Sequence, residues 1–388
     1  MVNTWTDRLE AVFPYGEACL PNDRYAAEQL PLVEFLEPGN ELPVRVVLVP
    51  KTLKTPRVIA MEPSWMMFVQ KGLAAIIETS LGAIPHLDGV IGWRSQIPNQ
   101  DLAKLASSSG AYATLDMKEA SDRVLNQHVV ALLAQFPWLS AAVQACRSMK
   151  ADVPHPVNET LDLVKFASMG SALTFPLEAM VFYTAIVWSR ERELKRPLSL
   201  SEIKSLKGQV RVYGDDIIIP MDFVSHVLAD FDLLGFKINT GKSFWTGKFR
   251  ESCGKEYYDG SDVSIVRMRR TFPRNVTDVD GVESLYSLRN QMYLAGYWKT
   301  TAFLDRVIMK SNLPNPRVLE SSSVLGRVSF LGYDVARVES GESMHRPLVR
   351  GFVRNSVLPL NAVDGIPALF KCLSTQGDEP REDLEHLE

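Results

Sequence analysis

Apolar positions recur along this chain in two rhythms, and each locates elements before any chemistry is considered. Alternating or near-continuous apolar runs bounded by turn residues predict strands at Arg45–Pro50, Pro56–Ala60, Ala111–Leu115, Gln209–Tyr213 and Ile217–Ile219. The first two flank a basic loop, and the third ends at Asp116. The last two face each other across Gly214, Asp215 and Asp216, where a glycine adopts backbone shapes that other residues resist. The slower, helical rhythm joins Val124, Leu125, His128, Val129, Leu132 and Leu133. It also joins Leu177, Met180, Val181, Thr184 and Trp188 in a helix predicted over Phe175–Trp188, with Thr174 as its cap and Pro176 in its first turn. Helices and strands mix without a regular βαβα alternation, so the predicted class is α+β.

Composition narrows the picture. With 388 residues, 46% of them hydrophobic, the chain can bury a large core and exceeds one ordinary compact domain, which excludes a small binding module. Cys19, Cys146, Cys253 and Cys372 are scattered, with no CxxC pair and no histidine at zinc-ligand spacing, so reduced thiols are expected rather than disulfides or a structural zinc. The N-terminus lacks the basic and apolar regions of a signal peptide, and no apolar run approaches the ~20 residues of a membrane span. A soluble, non-secreted protein is the expectation.

The net charge of -4 excludes a generic basic nucleic-acid coat, so any nucleic-acid contact must use local patches. Arg45, Lys51, Lys54 and Arg57 form one such patch, and Arg267, Arg269, Arg270 and Arg274 a second. The arginines of the second alternate closely enough to place several on one strand face against phosphate. Acids concentrate in Asp378 to Glu388, read as a solvated tail.

Asp215 and Asp216 are the most suggestive chemistry. Adjacent carboxylates at the tip of an apolar hairpin raise each other's pKa unless a cation intervenes, and hard oxygen ligands suit Mg²⁺ or Mn²⁺. Asp116, at the end of a neighbouring strand, would complete a two-metal site of the kind that serves phosphoryl transfer. Taken singly, the pair also reads as a solvated turn and Asp116 as a helix N-cap.

Four segments carry a family resemblance. Thr114–Asp122 (TLDMKEASD), Ser168–Glu178 (SMGSALTFPLE), Tyr213–Ile219 (YGDDIII) and Gly241–Phe244 (GKSF) resemble polymerase motifs A, B, C and D in order and spacing. Val49–Pro63 (VPKTLKTPRVIAMEP) and Phe249–Tyr258 (FRESCGKEYY) narrow the resemblance to the replicases of single-stranded RNA bacteriophages, the leviviruses. It runs from about Trp5 to Arg270. Polymerases of capsidless RNA viruses of the narnavirus or ourmiavirus type share motifs A to C and remain the alternative, with a non-catalytic polymerase-like RNA-binding subunit behind them.

The resemblance implies a right-hand polymerase, its antiparallel palm sheet flanked by helices, that copies RNA from ribonucleoside triphosphates with release of pyrophosphate. Fingers would span 1–110 and the palm 111–248, with motif A and a fingers insertion in 111–166 and motifs B, C and D in 167–248. Residues 249–275 would form motif E and the palm–thumb junction, 276–377 the thumb and 378–388 the acidic tail. Asp116 and Asp215 would be the main ligands of two Mg²⁺ or Mn²⁺ ions, with Asp216 assisting.

Asp122 could accept the ribose 2′-OH, the group that marks RNA precursors, or else cap a helix. Ser168, Met169 and Gly170 would form an adjustable loop with Thr174 near the sugar, while Ser171 departs from the asparagine usual there. Lys51, Lys54 and Arg57 would line the channel through which nucleotides enter, and Lys242 would protonate the leaving pyrophosphate. Arg250, Arg267, Arg269 and Arg270 would touch RNA. Template, nascent RNA and nucleotides are the expected partners in a bacterial host's cytoplasm, joined in the family by translation factors Tu and Ts and ribosomal protein S1. Family members usually carry a substantial segment ahead of the point where this chain begins, so a partial reading frame, an internal start and a compact relative all stand open.

Overall fold

The computed structural model describes residues 4–20, 22–50, 56–154, 157–335, 337–340 and 345–355. They fall into two compact units, one ending at Ile265 and the other beginning at Val266. The predicted mixture of helix and strand holds in the first unit. Its centre is a three-stranded antiparallel sheet in the order Tyr112–Asp116, Asp216–Pro220, Arg211–Tyr213. Ala113, Leu115, Val212, Ile217 and Ile219 are buried in the main core, because the middle strand is apolar on both faces.

Irregular backbone lies along both flanks of this sheet. On one side, Gly92 N–H donates to Val212 O at 2.8 Å and Val212 N–H to Val90 O at 2.8 Å. On the other, Thr114 and Phe244 exchange bonds at 3.0 and 2.7 Å, and Asn239 N–H donates to Asp116 O at 2.8 Å.

The long helix Thr174–Leu194 packs its buried face, including Leu177, Val181, Phe182 and Ile186, into the same core. Phe182, Phe231 and Phe236 form an aromatic cluster with centroids 5.1–6.0 Å apart. This helix is longer than the predicted Phe175–Trp188. Thr174 is also not its cap: Leu173 holds that position, and the Thr174 hydroxyl donates to Ser168 O at 2.8 Å.

A second correction concerns the apolar series from Val124 to Leu133. It is not one continuous helix: Ala120–Arg123 and Asn126–Leu132 are separate helices. The backbone between them pairs with residues 164–166, Phe166 N–H donating to Val124 O and Asn126 N–H to Val164 O. Long-range backbone pairing thus overrides local helical spacing.

A four-stranded sheet holds Pro56–Met61, Val44–Pro50, Lys150–Val153 and Glu159–Asp162 in that order, confirming the predicted strand pair with Pro50 opposite Pro56. The basic loop between them, with Lys51 and Lys54, lies outside the described residues, as do Cys372 and the acidic tail.

In the second unit, helices Val279–Leu294 and Trp298–Lys310 enclose Val282, Leu285, Tyr286, Leu304 and Ile308. Buried Arg289 pairs with Asp305 at 2.8 Å and donates to Val328 O at 2.7 Å, so its charge is matched. Arg267, Arg269, Arg270 and Arg274 are exposed but lie in no strand, so the expected strand face is absent; Arg270 pairs with Asp280 at 3.1 Å. No helix among the described residues is long and apolar enough to cross a membrane.

Candidate active site

The hairpin expected around Gly214-Asp215-Asp216 is present, but tighter. Tyr213 pairs directly with Asp216, so the turn proper is Gly214-Asp215 and Asp216 opens the next strand. Gly214 has φ +58, and a Cβ there would come within 2.6 Å of the Phe175 ring. Both the turn and the aromatic packing therefore call for glycine. The Phe175 ring meets Tyr213 edge-on at 5.0 Å, tying the helix start to the hairpin.

Asp116 is the cross-strand partner of Asp216, and Met117 N–H donates to Asp215 O at 3.3 Å. Sequence spacing of about 100 residues is thereby converted into adjacency at one end of the sheet. Asp215 is exposed, while Asp116 and Asp216 are half-buried. Burial first, then the charges of Asp215, Asp116 and Glu251, push the Asp216 carboxyl up to about 7. As the side chains stand, no three His, Cys, Asp or Glu groups among the described residues are arranged to enclose a metal ion.

Asp116 is held from outside the sheet. Asn239 Nδ2 donates to its Oδ2 at 2.7 Å, its own N–H donates to Ser243 Oγ at 3.0 Å, and Ser243 Oγ donates to its carbonyl at 3.3 Å. Neither Asn239 nor Ser243 was singled out in the sequence; the signal was the polar run Asn239–Ser243 around Lys242. Lys242 itself is exposed, with its N–H bonded to Asn239 O at 2.9 Å in the same turn.

Asp122 lies on the short helix Ala120–Arg123 and is exposed, with its carboxylate paired to Lys165. The strand-like pairing of residues 124–126 with 164–166 brings Lys165 there. Ser168 is buried, Gly170 is exposed at the loop tip, and Ser168 is tied to Thr174. Arg57 is exposed on its strand. Ser171, at the position where the family pattern has asparagine, turns its hydroxyl to the buried Gln70 at 2.9 Å.

Arg250 corrects an expectation. Its side chain is 1% exposed and donates to the carbonyls of Tyr112 at 2.7 Å, Gly247 at 3.0 Å and Phe249 at 2.7 Å. A guanidinium buried this deeply and bonded to interior carbonyls offers no surface charge to RNA. Cys253, in a turn at φ +50 behind the hairpin, is half-buried, and burial together with Asp216 pushes its thiol up to about 12. An unreactive thiol follows.

Glu178 is a further carboxyl at this end. It lies one turn past Thr174 on the long helix, 6% exposed, and burial followed by the charges of Asp215 and Asp122 pushes it up to about 8. Its folded value exceeds the ordinary 4.5, so the folded state gains stability below pH 4.5 and loses it as pH rises through 8. Thermal unfolding followed from pH 5 to 9 should show Glu178→Gln matching the native chain at the acidic end. At the alkaline end it should exceed it by roughly 3 kcal/mol. Parallel curves would mean that Glu178 does not titrate in the fold.

Residues 40–301 match the family described as RNA replicase, beta-chain. The RNA-directed RNA polymerase subunit beta of Qbeta virus (strain MX1) is 37% identical over 66% of this chain and 40% of its own length. The RNA-directed RNA polymerase beta chain of Escherichia phage MS2 is 34% identical over 66% of this chain and 42% of its own. The chain thus spans about two fifths of the length of these relatives. Among solved structures, BmCPV RNA-dependent RNA polymerase at elongation state aligns at TM-score 0.46 and 12% identity, covering 73% of this chain and 26% of that one. With the family match covering the whole Asp116–Asp216 site, the chain belongs to the RNA replicase beta-chain family.

Proposed function

We propose that this chain carries the catalytic centre of an RNA-directed RNA polymerase, joining ribonucleotides on an RNA template with release of pyrophosphate. The observation that carries the reading is the cross-strand pairing of Asp116 with Asp216, which sets a strand-end carboxylate beside the Gly214-Asp215 turn. In this reading the first unit supplies fingers and palm and the second a thumb. RNA and nucleotides are the partners in a bacterial cytoplasm, with host factors Tu, Ts and S1 as candidates.

Burial and the charges of Asp215 and Asp116 raise the Asp216 carboxyl, a conflict that a hard divalent cation relieves, and Asp116, Asp215 and Asp216 would hold Mg²⁺ or Mn²⁺. Bound there, two such ions would activate the attacking hydroxyl and neutralise the leaving phosphates. The protein's own part is positional. Asn239 fixes the Asp116 carboxylate, so its orientation is set before substrate arrives. Lys242, in the same turn, would supply a proton to pyrophosphate. Arg57, with Lys51 and Lys54, would grip the triphosphate, and Arg267, Arg269 and Arg270 the RNA backbone.

Asp122 would accept the ribose 2′-OH by exchanging part of its ion pair with Lys165 for that hydroxyl. RNA extension with Mg²⁺ or Mn²⁺, a template and four ribonucleotides tests the function itself. In the same assay Asp122→Ala should cut the preference for ribo- over deoxynucleotides about tenfold or more. A native chain that incorporates both equally would remove the Asp122 assignment.

A further inference from the structure

We infer that Gln70, far from the carboxylates in sequence and buried in a helix, is the positioning residue that fixes the Ser168–Thr174 loop and thereby sets nucleotide affinity and sugar selection. The inference rests on the polymerase reading above.

Gln70 lies in the middle of helix Ser64–Gly82 among buried Met66, Val69, Leu73 and Ala74, and is 1% exposed. A primary amide in that setting is tolerable only if its donors and acceptor are used. They are. Nε2 donates to Cys146 O at 2.8 Å, and the amide also hydrogen-bonds the half-buried Glu62 carboxyl. Oε1 accepts from Ser171 Oγ at 2.9 Å and from Ala172 N–H at 3.2 Å. One side chain therefore joins the segment after helix Pro137–Ala145 to the base of the loop.

The loop is held at two further points. Ala60 N–H donates to Met169 O at 2.8 Å, and Thr174 Oγ1 donates to Ser168 O at 2.8 Å. Gly170 has φ +132 and packs so closely that a Cβ would overlap the Ala60 carbonyl. The tip residues Met169 and Gly170 are exposed while Ser168 and Ser171 are buried, so an exposed tip rides on a locked base. Freeing the base displaces Ser168 and Thr174 together and leaves Asp116, Asp215 and Asp216 where they are.

The test uses the full 388-residue chain. Gln70→Met keeps the volume and removes every polar contact. Ser171→Ala removes one contact, and Ser171→Thr keeps the hydroxyl. Gln70→Met should raise KM for ribonucleotides about tenfold with kcat changed less than threefold, and should lower ribo- over deoxynucleotide preference. Ser171→Ala should do the same more weakly, Ser171→Thr should behave as native, and the double variant should not exceed Gln70→Met alone. Hydrogen exchange should quicken at residues 168–174 in Gln70→Met and stay unchanged in the Asp116 strand. A lower Tm with unchanged KM and selectivity, or equal loss through an inactive fraction, would overturn the inference. So would unchanged exchange in the loop. A native chain without any RNA extension would overturn the polymerase reading first, and the exchange result would then stand only as folding.

Discussion

Asp215→Ala is expected to abolish RNA extension while making the folded chain more heat-resistant. The side chain is exposed at the tip of a turn whose backbone shape depends on Gly214, so nothing structural is lost with it. What disappears is the proposed metal ligand and a negative charge that raises both Asp216 and Glu178. Losing the several kcal/mol that metal ligation contributes to the transition state lowers the rate on the order of 10³-fold or more. The stability effect has the opposite sign. Asp216 titrates near 7 against an ordinary 3.8, so the folded state loses stability as pH rises through 7, and removing Asp215 reduces that loss. At pH 8 the melting temperature should rise by about 1–3 °C. Extension within tenfold of native would refute the ligand assignment, and a fall in melting temperature would refute the electrostatic account.

Arg250→Met should unfold the protein more easily and leave RNA affinity alone once folded molecules are compared. The substitution keeps apolar volume but strips partners from the Tyr112, Gly247 and Phe249 carbonyls in a site 1% exposed. At about 1–3 kcal/mol for each buried group left unsatisfied, the loss comes to about 4 kcal/mol, or roughly 10 °C in melting temperature. A phosphate contact would announce itself differently, by lowering the salt dependence of RNA binding by about one unit of slope. A slope reduced by that much at unchanged stability would return Arg250 to the RNA surface.

These two residues mark where the sequence could and could not be read. The strands around Asp116 and Asp216 were legible because a period of two and a glycine turn are local signals, and the carboxylates because nothing apolar explains them. Arg250 was misread because its burial depends on Tyr112, 138 residues away. The helix break at Val124-Leu125 was hidden for the same reason, its partners being at 164–166, and the role of Thr174 because its hydroxyl turns back to the Ser168 carbonyl instead of capping the helix. Asn239 and Ser243 were passed over beside the more conspicuous Lys242, and Gln70 looked like a stray polar residue on an apolar helix face. In each case the deciding contact was long-range or made by a side chain, and no periodicity encodes it.

The flanks of the central sheet also guard the molecule against self-association. Along the strand Tyr112–Asp116, the outward carbonyl of Tyr112 is taken by Arg250, both backbone groups of Thr114 by Phe244, and those of Asp116 by Asn239 and Ser243. Along Arg211–Tyr213, Val212 is covered by Val90 and Gly92. Neither border of this short, strongly apolar sheet presents a ladder of vacant donors and acceptors to a strand from another molecule. The segment Ile217–Ile219, which in isolation has the makings of an aggregating peptide, is therefore quarantined between strands that are themselves sealed, and a lesion such as Arg250→Met would expose the chain to self-association as well as to unfolding.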